Sequence, residues 1–348
     1  MAKKENSSQA AAATNILSGR REFLFLYDIK MGNPNGDPDE NRPRVLPDGT
    51  HYVTDVRLKR FIRDFFKMQG KQILVDSVDG RTTNLAGRIA AHLEFAKEPK
   101  AEGKELVDIL LDSFIDARLF GSTFAIKDKK EKDKKQENLE EEGEKSKTSK
   151  EKDRKPKPLT GATQINHGEV MHHAQEVDIH GTSIFGSDED KTTGTFTTYF
   201  GLRYALIGFC GVANEHSAKL SRMTDDDYEA LLVAMWKGVR AAGNTRTKVG
   251  QVPRLLVSVE YKTGEEFQFG NLTDYIKLQA VNDKPKEEEW SSPFDYRLDL
   301  SLLTNRLNAH ANKIERIRYC VSPDIGFADN TGIPSNWQIH AIDADTQK

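Results

Sequence analysis

The segment GNPNGDP at residues 32–38 constrains this chain more than any other part of its sequence. It follows a short apolar run at residues 23–29, which predicts a strand buried on both faces. Proline removes a backbone donor and glycine opens positive φ, so residues 32–38 cannot continue that strand. The sequence therefore predicts a sharp, irregular loop with free backbone amides at the end of a buried strand.

A strongly basic helix is predicted after this loop, beginning near Thr54 and Asp55, which are typical N-cap residues. Its cations spread over roughly half of the helix surface, and its apolar residues form a stripe. The cations are Arg57, Lys59, Arg60 and Arg63, and the apolar residues are Val56, Leu58, Phe61, Ile62 and Phe65. Free amides beside clustered cations suit a polyanion, although an ordinary solvated helix after an ordinary loop explains the same residues.

Strand and helix patterns alternate along the rest of the chain. Strands are predicted at residues 163–171, 195–209 and 255–261, and helices at residues 85–95, 105–114, 225–242 and 298–317. This alternation is typical of an α+β fold with a ferredoxin-like or RRM-like sheet and long insertions.

Any cationic surface must come from local clustering, because the 348 residues carry a formal net charge of −3. Residues 127–157 hold 13 Lys or Arg against 10 Asp or Glu and almost no apolar side chain. Such a segment cannot bury enough surface to order itself, so a flexible charged insertion is predicted there. Residues 1–20 are predicted to be a disordered lead.

Two cysteines, Cys210 and Cys320, form neither a metal-ligand pattern nor the disulfide framework of a small secreted domain. A cytoplasmic location is therefore predicted. No apolar run approaches the roughly 18 residues that span a bilayer, so no membrane association is expected.

The order of motifs resembles one protein family. The motifs are GNPNGDP, NRPR at residues 41–44, TDVRLKRFIRD at 54–64, ARLFG at 117–121, LTGATQIN at 159–166, and Thr197 and Tyr199 leading into RYAL at 203–206. In this order they resemble the Cas-seven backbone subunits of CRISPR type I Cascade complexes, which belong to the RAMP superfamily. The resemblance covers most of residues 21–278 and is closest to subtype I-B.

This resemblance implies a non-catalytic RNA-binding scaffold of an antiviral ribonucleoprotein. Copies of such a subunit line up as a helical filament along the guide RNA (crRNA), grip its sugar-phosphate backbone and leave the bases free to pair with target DNA. Further copies and the cap, large and crRNA-processing subunits are the implied protein partners. No cofactor and no metal are implied.

The RNA-binding residues come from the loop, the basic helix and two later motifs. They are Asn33, Asn35, Gly36, Arg42, Arg44, Arg57, Lys59, Arg60, Arg63, Gln164, Asn166, Arg246 and Lys248. Backbone binding without sequence preference needs Lys and Arg charges and amides on phosphates, with little base-edge contact.

The resemblance also implies a β-hairpin thumb that folds over the guide RNA. By position it lies at residues 172–194, and Met171, Ile179, Ile184 and Phe185 are the side chains able to wedge or stack on bases. A small satellite core explains the same apolar residues equally simply.

The implied domain organisation is discontinuous. An RRM-like palm takes residues 21–64, 115–126, 159–171 and 195–281, with a helical finger insertion at 65–114, the charged insertion at 127–158, the thumb at 172–194 and a C-terminal helix and tail at 282–348.

Two other functions stay open. Asp28, Asp37, Asp39 or Asp55 could supply an acid or a metal ligand for RNA cleavage, and Asp37 is the candidate for a metal-dependent endoribonuclease like the type III backbone subunits. Asp37, Asp39 and Asp55 are equally well explained as turn and cap residues. A plain RNA-binding protein outside CRISPR systems is the other alternative. No Walker, Rossmann or G-x-S-x-G pattern is present.

Four histidines in one short stretch raise the separate question of a metal site. They are His167, His172, His173 and His180, with Glu169, Glu176 and Asp178 nearby in sequence. Zinc sites need a fixed tetrahedral ligand set, and this stretch lacks the usual spacing. Structural or exposed histidines are therefore predicted.

Deletion of residues 127–157 is expected to leave folding nearly intact, because this segment has so little apolar surface to bury. In a thermal melt, the Tm of the shortened chain should stay within about 3 °C of the full chain, which corresponds to a change of about 1 kcal/mol. A collapse in thermal stability would show instead that the segment is part of the folded structure.

Overall fold

The computed structural model describes residues 15–78, 80–98, 101, 103–122, 158–182, 196–281, 284–329 and 332–342. The chain divides into two compact units. A helical unit contains residues 1–17, 66–163 and 215–228, and a sheet unit contains residues 18–65, 164–214 and 229–348. The predictions for residues 1–14, the charged segment 127–157, Ile184 and Phe185 concern residues outside the described ranges.

The strands are β1 (Arg21–Gly32), β2 (Tyr52–Val53), β3 (Gly121–Ser122), β4 (Leu159–Thr160), β5 (Thr163–Ile165), β6 (Gly168–Val170), β7 (Glu176–Thr182), β8 (Phe196–Ala213), β9 (Val252–Tyr261), β10 (Lys277–Ala280), β11 (Tyr296–Asp299), β12 (Ile314–Val321) and β13 (Gln338–Ile339). The α-helices are α1 (Asp55–Met68), α2 (Leu85–Phe95), α3 (Gly103–Ser113), α4 (Ile115–Phe120), α5 (Glu215–Ser221), α6 (Asp225–Ala241) and α7 (Ser301–Ala309). Mixed α+β structure with a large sheet confirms the predicted fold class at this level.

The large sheet has the strand order β13-β12-β9-β1-β8-β6-β2, and β5 and β7 also pair with β8. The pairs β1–β8, β1–β9 and β9–β12 are antiparallel, whereas β12 and β13 are parallel. β7 and β8 form an antiparallel hairpin with Glu176 opposite Leu202 and Thr182 opposite Phe196. The central strand is β1, whose side chains are buried from Arg21 to Ile29, as its apolar run predicted.

Alternate residues of β1 serve different faces of the sheet. Leu24 and Leu26 join a large core with Tyr204, Trp290 and Tyr296. The odd-numbered residues include Phe25 and Tyr27, and the ring of Tyr27 stacks on Phe209 of β8 at 6.1 Å. Two covered faces explain why the sequence of this strand is a continuous apolar run and not an alternating one.

The basic helix α1 is held by its buried residues Leu58, Phe61 and Ile62. It crosses α6 closely, because a Cβ added at Gly238 would lie 2.8 Å from the carbonyl oxygen of Phe61. The apolar stripe predicted for this helix is wrong at Val56, which is 65% exposed. Val56 belongs to the first turn of the helix, beyond the reach of the core.

A buried polar network connects the central strands of the sheet unit. Asp28 on β1 accepts hydrogen bonds from Arg254 Nε of β9 at 2.7 Å and from the Tyr204 hydroxyl of β8 at 2.8 Å. The Arg254 guanidinium also donates to Asp324 at 2.8 Å, and the hydroxyls of Tyr204 and Tyr296 lie 2.9 Å apart. Satisfied partners on every side allow this charge to be buried.

The helical unit has its own small core, formed by Leu74, Ile89, Leu93, Leu106, Leu110, Leu111 and Phe114. The buried carboxylate of Asp116 accepts the backbone N–H groups of Leu74 at 2.8 Å and Val75 at 3.2 Å. Arg118 forms a bidentate ion pair with Asp227, in which Nε donates to Oδ2 at 2.7 Å and Nη2 donates to Oδ1 at 2.8 Å. Arg118 of the ARLFG motif therefore has a structural role in this unit, as the partner of Asp227.

Two predicted elements differ from the structure. The helix predicted at 298–317 is wrong in its second half: α7 ends at Ala309, and Ile314–Val321 form β12 on the edge of β9. The β-branched and aromatic residues of that stretch favour a strand once a partner strand is present. The strand predicted at 163–171 is two short strands, β5 and β6. In the described part of the chain, no helix is long and apolar enough to cross a bilayer.

Replacing Asp28 with alanine is expected to lower the free energy of unfolding by about 3–5 kcal/mol, because it leaves the buried Arg254 without its main partner. Urea unfolding followed by circular dichroism measures this change. The exposed Asp39→Ala is the matched control, with an expected effect within about 0.5 kcal/mol. Equal effects of the two variants would contradict a structural role for the Asp28 network.

Candidate nucleic-acid interface

The end of β1 meets the loop at residues 243–250, which follows α6. A Cβ at Gly32 would lie 2.9 Å from the carbonyl oxygen of Thr247, so only glycine allows this approach. Asn33 N–H donates to the same Thr247 carbonyl at 3.1 Å, and Lys248 Nζ donates to the Asn33 carbonyl. Two of the sequence-predicted segments, far apart along the chain, are therefore in contact.

The first loop is organised around Asp37. One oxygen of its carboxylate, Oδ1, accepts the backbone N–H groups of Asp39, Glu40 and Asn41 at 3.1, 2.9 and 2.9 Å. Its own N–H donates to the Arg42 carbonyl at 2.8 Å. This geometry supports the turn-forming interpretation of Asp37.

The two loop asparagines are buried and turned into the protein. Asn35 Oδ1 accepts from Thr54 N–H at 2.9 Å and from the Thr54 hydroxyl at 2.8 Å, immediately before α1 begins. Asn33 Nδ2 donates to the Asn41 carbonyl at 2.6 Å. A Cβ at Gly36 would lie 1.9 Å from Asn41 Oδ1, so this glycine allows the loop to close. These three predicted RNA-binding residues shape the loop and set the start of the basic helix.

Three predicted cations converge near the Asn33–Lys248 contact, and we call them the cation cluster: Arg57, Arg246 and Lys248. Arg246 lies over the ring of Tyr199 with 4.7 Å to the centroid. Burial, together with the neighbouring charge of Arg57, lowers the pKa of Lys248 to about 8. Within the described residues, no carboxylate pairs with any member of the cluster, so its positive charge is uncompensated.

The other predicted cations of the loop and helix have different surroundings. Arg42 donates to Glu40 at 2.9 Å, Lys59 to Asp55 at 2.9 Å, and Arg60 to Asp64 at 2.9 Å. Arg44 is half-buried and its Nε has no hydrogen-bond partner among the described residues. Arg63 lies on α1, half-buried. Charge alone therefore does not distinguish the cations of this region, but their partners do.

Gln164 and Asn166 lie on β5 and in the turn that follows it, both exposed. Asn166 lines a cavity of about 490 Å³ together with Asp55, His167 and Glu169. The structure thus places Asn166 beside the start of α1 and not in the cation cluster.

The four histidines occupy separate environments. His172 is buried against Trp290, its Nε2 accepts from Leu206 N–H at 3.3 Å, and burial lowers its pKa to about 4. His167 Nδ1 accepts from Asp55 N–H at 3.2 Å. His173 and His180 are exposed. Over the described ranges, no three His, Cys, Asp or Glu side chains are grouped as metal ligands.

Two of the predicted thumb side chains can be placed. Met171 is partly buried and packs against the large core. Ile179 lies on β7 opposite Tyr199 and is 37% exposed.

Sequence reasoning missed a group of residues on the hairpin that contact the loop. Glu176 and Asp178 of β7 lie 3.6 and 3.7 Å from Arg42 Nη1, and the guanidinium of Arg42 lies over the ring of Phe200 at 3.7 Å. The spacing of the two carboxylates was the available signal, because residues i and i+2 of a strand share a face.

Most of the chain is similar to known proteins. The family model described as CRISPR-associated protein Cas7 matches residues 19–301. The CRISPR-associated protein Cas7 of Haloferax volcanii is 29% identical over 308 residues, which are 86% of this chain and 85% of that relative. A chain of a solved CRISPR RNA-guided surveillance complex, pre-nicking, superposes with a TM-score of 0.50 at 12% identity, covering 92% of this chain and 95% of that chain. The superposition shows a shared fold.

Replacing Arg57 with glutamine is expected to raise the pKa of Lys248 by roughly one pH unit, because a like charge beside the ammonium group is removed. An NMR titration of lysine Nζ measures the midpoint, which is about 8 in the unchanged chain. Arg60→Gln is the control and should leave the midpoint in place.

The lowered pKa of Lys248 determines whether the free energy of unfolding rises or falls with pH. Between pH 8 and about 10 the unfolded chain binds more protons at Lys248 than the folded chain, so the free energy of unfolding rises with pH in this window. Lys248→Met should remove that rise. A wild-type midpoint near 10 would contradict the burial and crowding of this lysine.

Proposed function

We propose, because the chain belongs to the family of the CRISPR-associated protein Cas7, that it is a non-catalytic crRNA-binding backbone subunit of a type I Cascade surveillance complex. Subtype I-B is the proposed class. The uncompensated cation cluster at the end of β1 carries this proposal, since it is a local positive site in a chain whose net charge is −3.

The chemistry of the cluster suits a phosphate. Lys248 is held beside Arg57, and no carboxylate of the described residues pairs with either of them, so a bound phosphate would supply negative charge there. Arg246 is exposed at its edge, with its guanidinium over Tyr199. All three side chains are cationic donors without an acceptor atom, which suits contacts to phosphate oxygens, and the proposed contacts are to the sugar-phosphate backbone and not to base edges.

A guide-binding subunit needs this lack of sequence preference. Each guide differs in sequence, and base pairing between guide and target, not the protein, selects the DNA. A site that holds only the sugar-phosphate backbone leaves the base edges available for that pairing.

The remaining predicted residues extend the proposed RNA path. Arg60 is in an exposed ion pair with Asp64, and Lys59 is in a half-buried pair with Asp55 of the same helix. An exposed pair contributes only about 0–1 kcal/mol, so a phosphate can replace the carboxylate at Arg60. Asn33, Asn35 and Gly36 hold the loop in shape, and Arg42, Arg44, Arg63, Gln164 and Asn166 line the path on either side.

The proposed assembly follows from the same family. The RRM-like palm would bind the guide, the helical insertion would form a finger, and the β7–β8 hairpin would form the base of the thumb. Several copies would bind one crRNA in the cytoplasm, beside target DNA and the cap, large and crRNA-processing subunits.

The combined variant Arg57→Gln, Arg246→Gln, Lys248→Gln is expected to lose guide RNA. The unchanged chain, expressed with its repeat array, should purify with RNA of one defined length and several protein copies per RNA. The variant should purify largely free of RNA. In binding assays, its log Kd against log salt concentration should flatten by about 2, since each lost phosphate contact on a single strand removes about 0.7.

The double variant Lys59→Gln, Arg60→Gln removes two charges and is compared with the charge-matched double variant Arg57→Gln, Lys248→Gln of the cluster. The Lys59, Arg60 variant should show the smaller change in affinity and slope. Equal losses in both variants would contradict the special role of the cation cluster. RNA-free, strictly monomeric wild-type protein would contradict the proposed function as a whole.

A further inference from the structure

Arg42 differs from the cation cluster because carboxylates of the protein itself already surround its guanidinium. Its Nε donates to Glu40 Oε2 at 2.9 Å, and its Nη1 lies 3.6 Å from Glu176 Oε2 and 3.7 Å from Asp178 Oδ1. Its guanidinium lies 3.7 Å from the centroid of the Phe200 ring. A planar guanidinium can stack on an aromatic face and bind carboxylates at its edge at the same time, which lysine cannot do.

These contacts reach both strands of the hairpin at one point. Asp178 of β7 and Phe200 of β8 are directly opposite each other in the antiparallel ladder. Arg42 contacts both members of this cross-strand pair, so it connects the loop to both strands of the hairpin at one position. His51, just before β2, adds a second contact, since its Nε2 lies 2.9 Å from Glu176 Oε1.

The other end of the same loop is attached to the cation cluster. The Asn33 carbonyl accepts a hydrogen bond from Lys248 Nζ. The Asn33 side chain donates to the carbonyl of Asn41, the residue before Arg42. Two backbone contacts hold the loop together between these ends. Asp37 N–H donates to the Arg42 carbonyl at 2.8 Å, and Gly36 and Pro43 form an antiparallel β-bridge. The loop therefore contacts the proposed phosphate site through Asn33 and the hairpin through Arg42.

We propose that Arg42 is a positioning residue that latches the β7–β8 hairpin to the loop and does not itself bind a phosphate. This inference rests on the proposed function, because the hairpin is fixed relative to the proposed RNA path. The latch has a second effect. Arg42 offsets Glu176 and Asp178, whose carboxylates would otherwise repel a nearby phosphate backbone.

The first test needs no RNA. Hydrogen exchange by mass spectrometry on the full chain compares wild type, Arg42→Ala and the control Arg60→Ala, which breaks a different exposed arginine–carboxylate pair. Arg42→Ala should speed exchange about tenfold in peptides covering residues 33–44, 176–182 and 198–202, because the loop and the hairpin lose their shared contacts. Arg60→Ala should leave these peptides unchanged. Unchanged exchange in Arg42→Ala would overturn the latch.

The second test separates a latch from a phosphate contact. Binding of a single-stranded oligoribonucleotide is measured over a series of salt concentrations. To keep uncovered carboxylates from changing the salt dependence, Arg42→Ala is combined with Glu176→Gln and Asp178→Asn. For this variant a latch predicts weaker binding than wild type with an unchanged salt slope, whereas a phosphate contact predicts a slope lower by about 0.7 and would overturn the inference. If wild type binds no RNA, the proposed function fails, while the exchange experiment still decides the latch.

A rescue variant tests the charge-masking effect. Glu176→Gln and Asp178→Asn, added to Arg42→Ala, remove the uncompensated carboxylates without restoring the latch. RNA affinity should recover at least about threefold over Arg42→Ala, since like charge near the RNA is removed. Exchange in the hairpin should stay fast. No recovery of affinity would overturn charge masking as part of the role of Arg42.

Discussion

The site depends on the close approach of two backbones at Gly32 and Thr247. Because no side chain separates them, Asn33 bonds to the loop after α6, and Lys248 is pressed against the Asn33 carbonyl beside Arg57. A lysine in that position keeps its donor bond but loses water and gains a like-charged neighbour. The position of Lys248 in the cation cluster follows from this contact.

Such a cluster is unfavourable for folding and useful for binding. An ammonium group that is partly desolvated beside an arginine lowers the stability of the folded chain at neutral pH, as its depressed pKa shows. The sheet unit compensates elsewhere, with β1 buried on both faces and Asp28 satisfied by Arg254 and Tyr204. The cation cluster, which pairs with no carboxylate of the described residues, lies at the end of this central buried strand, and that holds Lys248 in a fixed position.

The sequence predicted much of this architecture because local signals were strong. The apolar run at 23–29 became β1, the helix at 85–95 was placed at its observed bounds, and the family resemblance on the GNPNGDP and basic-helix motifs is confirmed. Errors came where a tertiary partner decides the outcome. Residues 314–317 continue a helical pattern locally but pair with β9, and Val56 fits an apolar stripe but has no core beneath it.

The partners of each cation could not be read from the sequence either. Arg42 and Arg246 are both basic residues in polar loops, yet one is surrounded by three carboxylates and the other by none among the described residues. The difference arises because β7 brings Glu176 and Asp178 back to the first loop, a contact across more than a hundred residues of sequence.

The short strand β13 has a consequence for solubility in any crowded assembly. It covers the outer edge of β12 at Arg318 and Tyr319, and the His340 N–H that follows it donates to the Tyr319 carbonyl at 2.7 Å. An open edge strand recruits strands from other molecules, and a covered edge does not. Here β13 pairs with the outer edge of β12 at Arg318 and Tyr319, so a strand of a neighbouring molecule cannot pair with β12 at these residues.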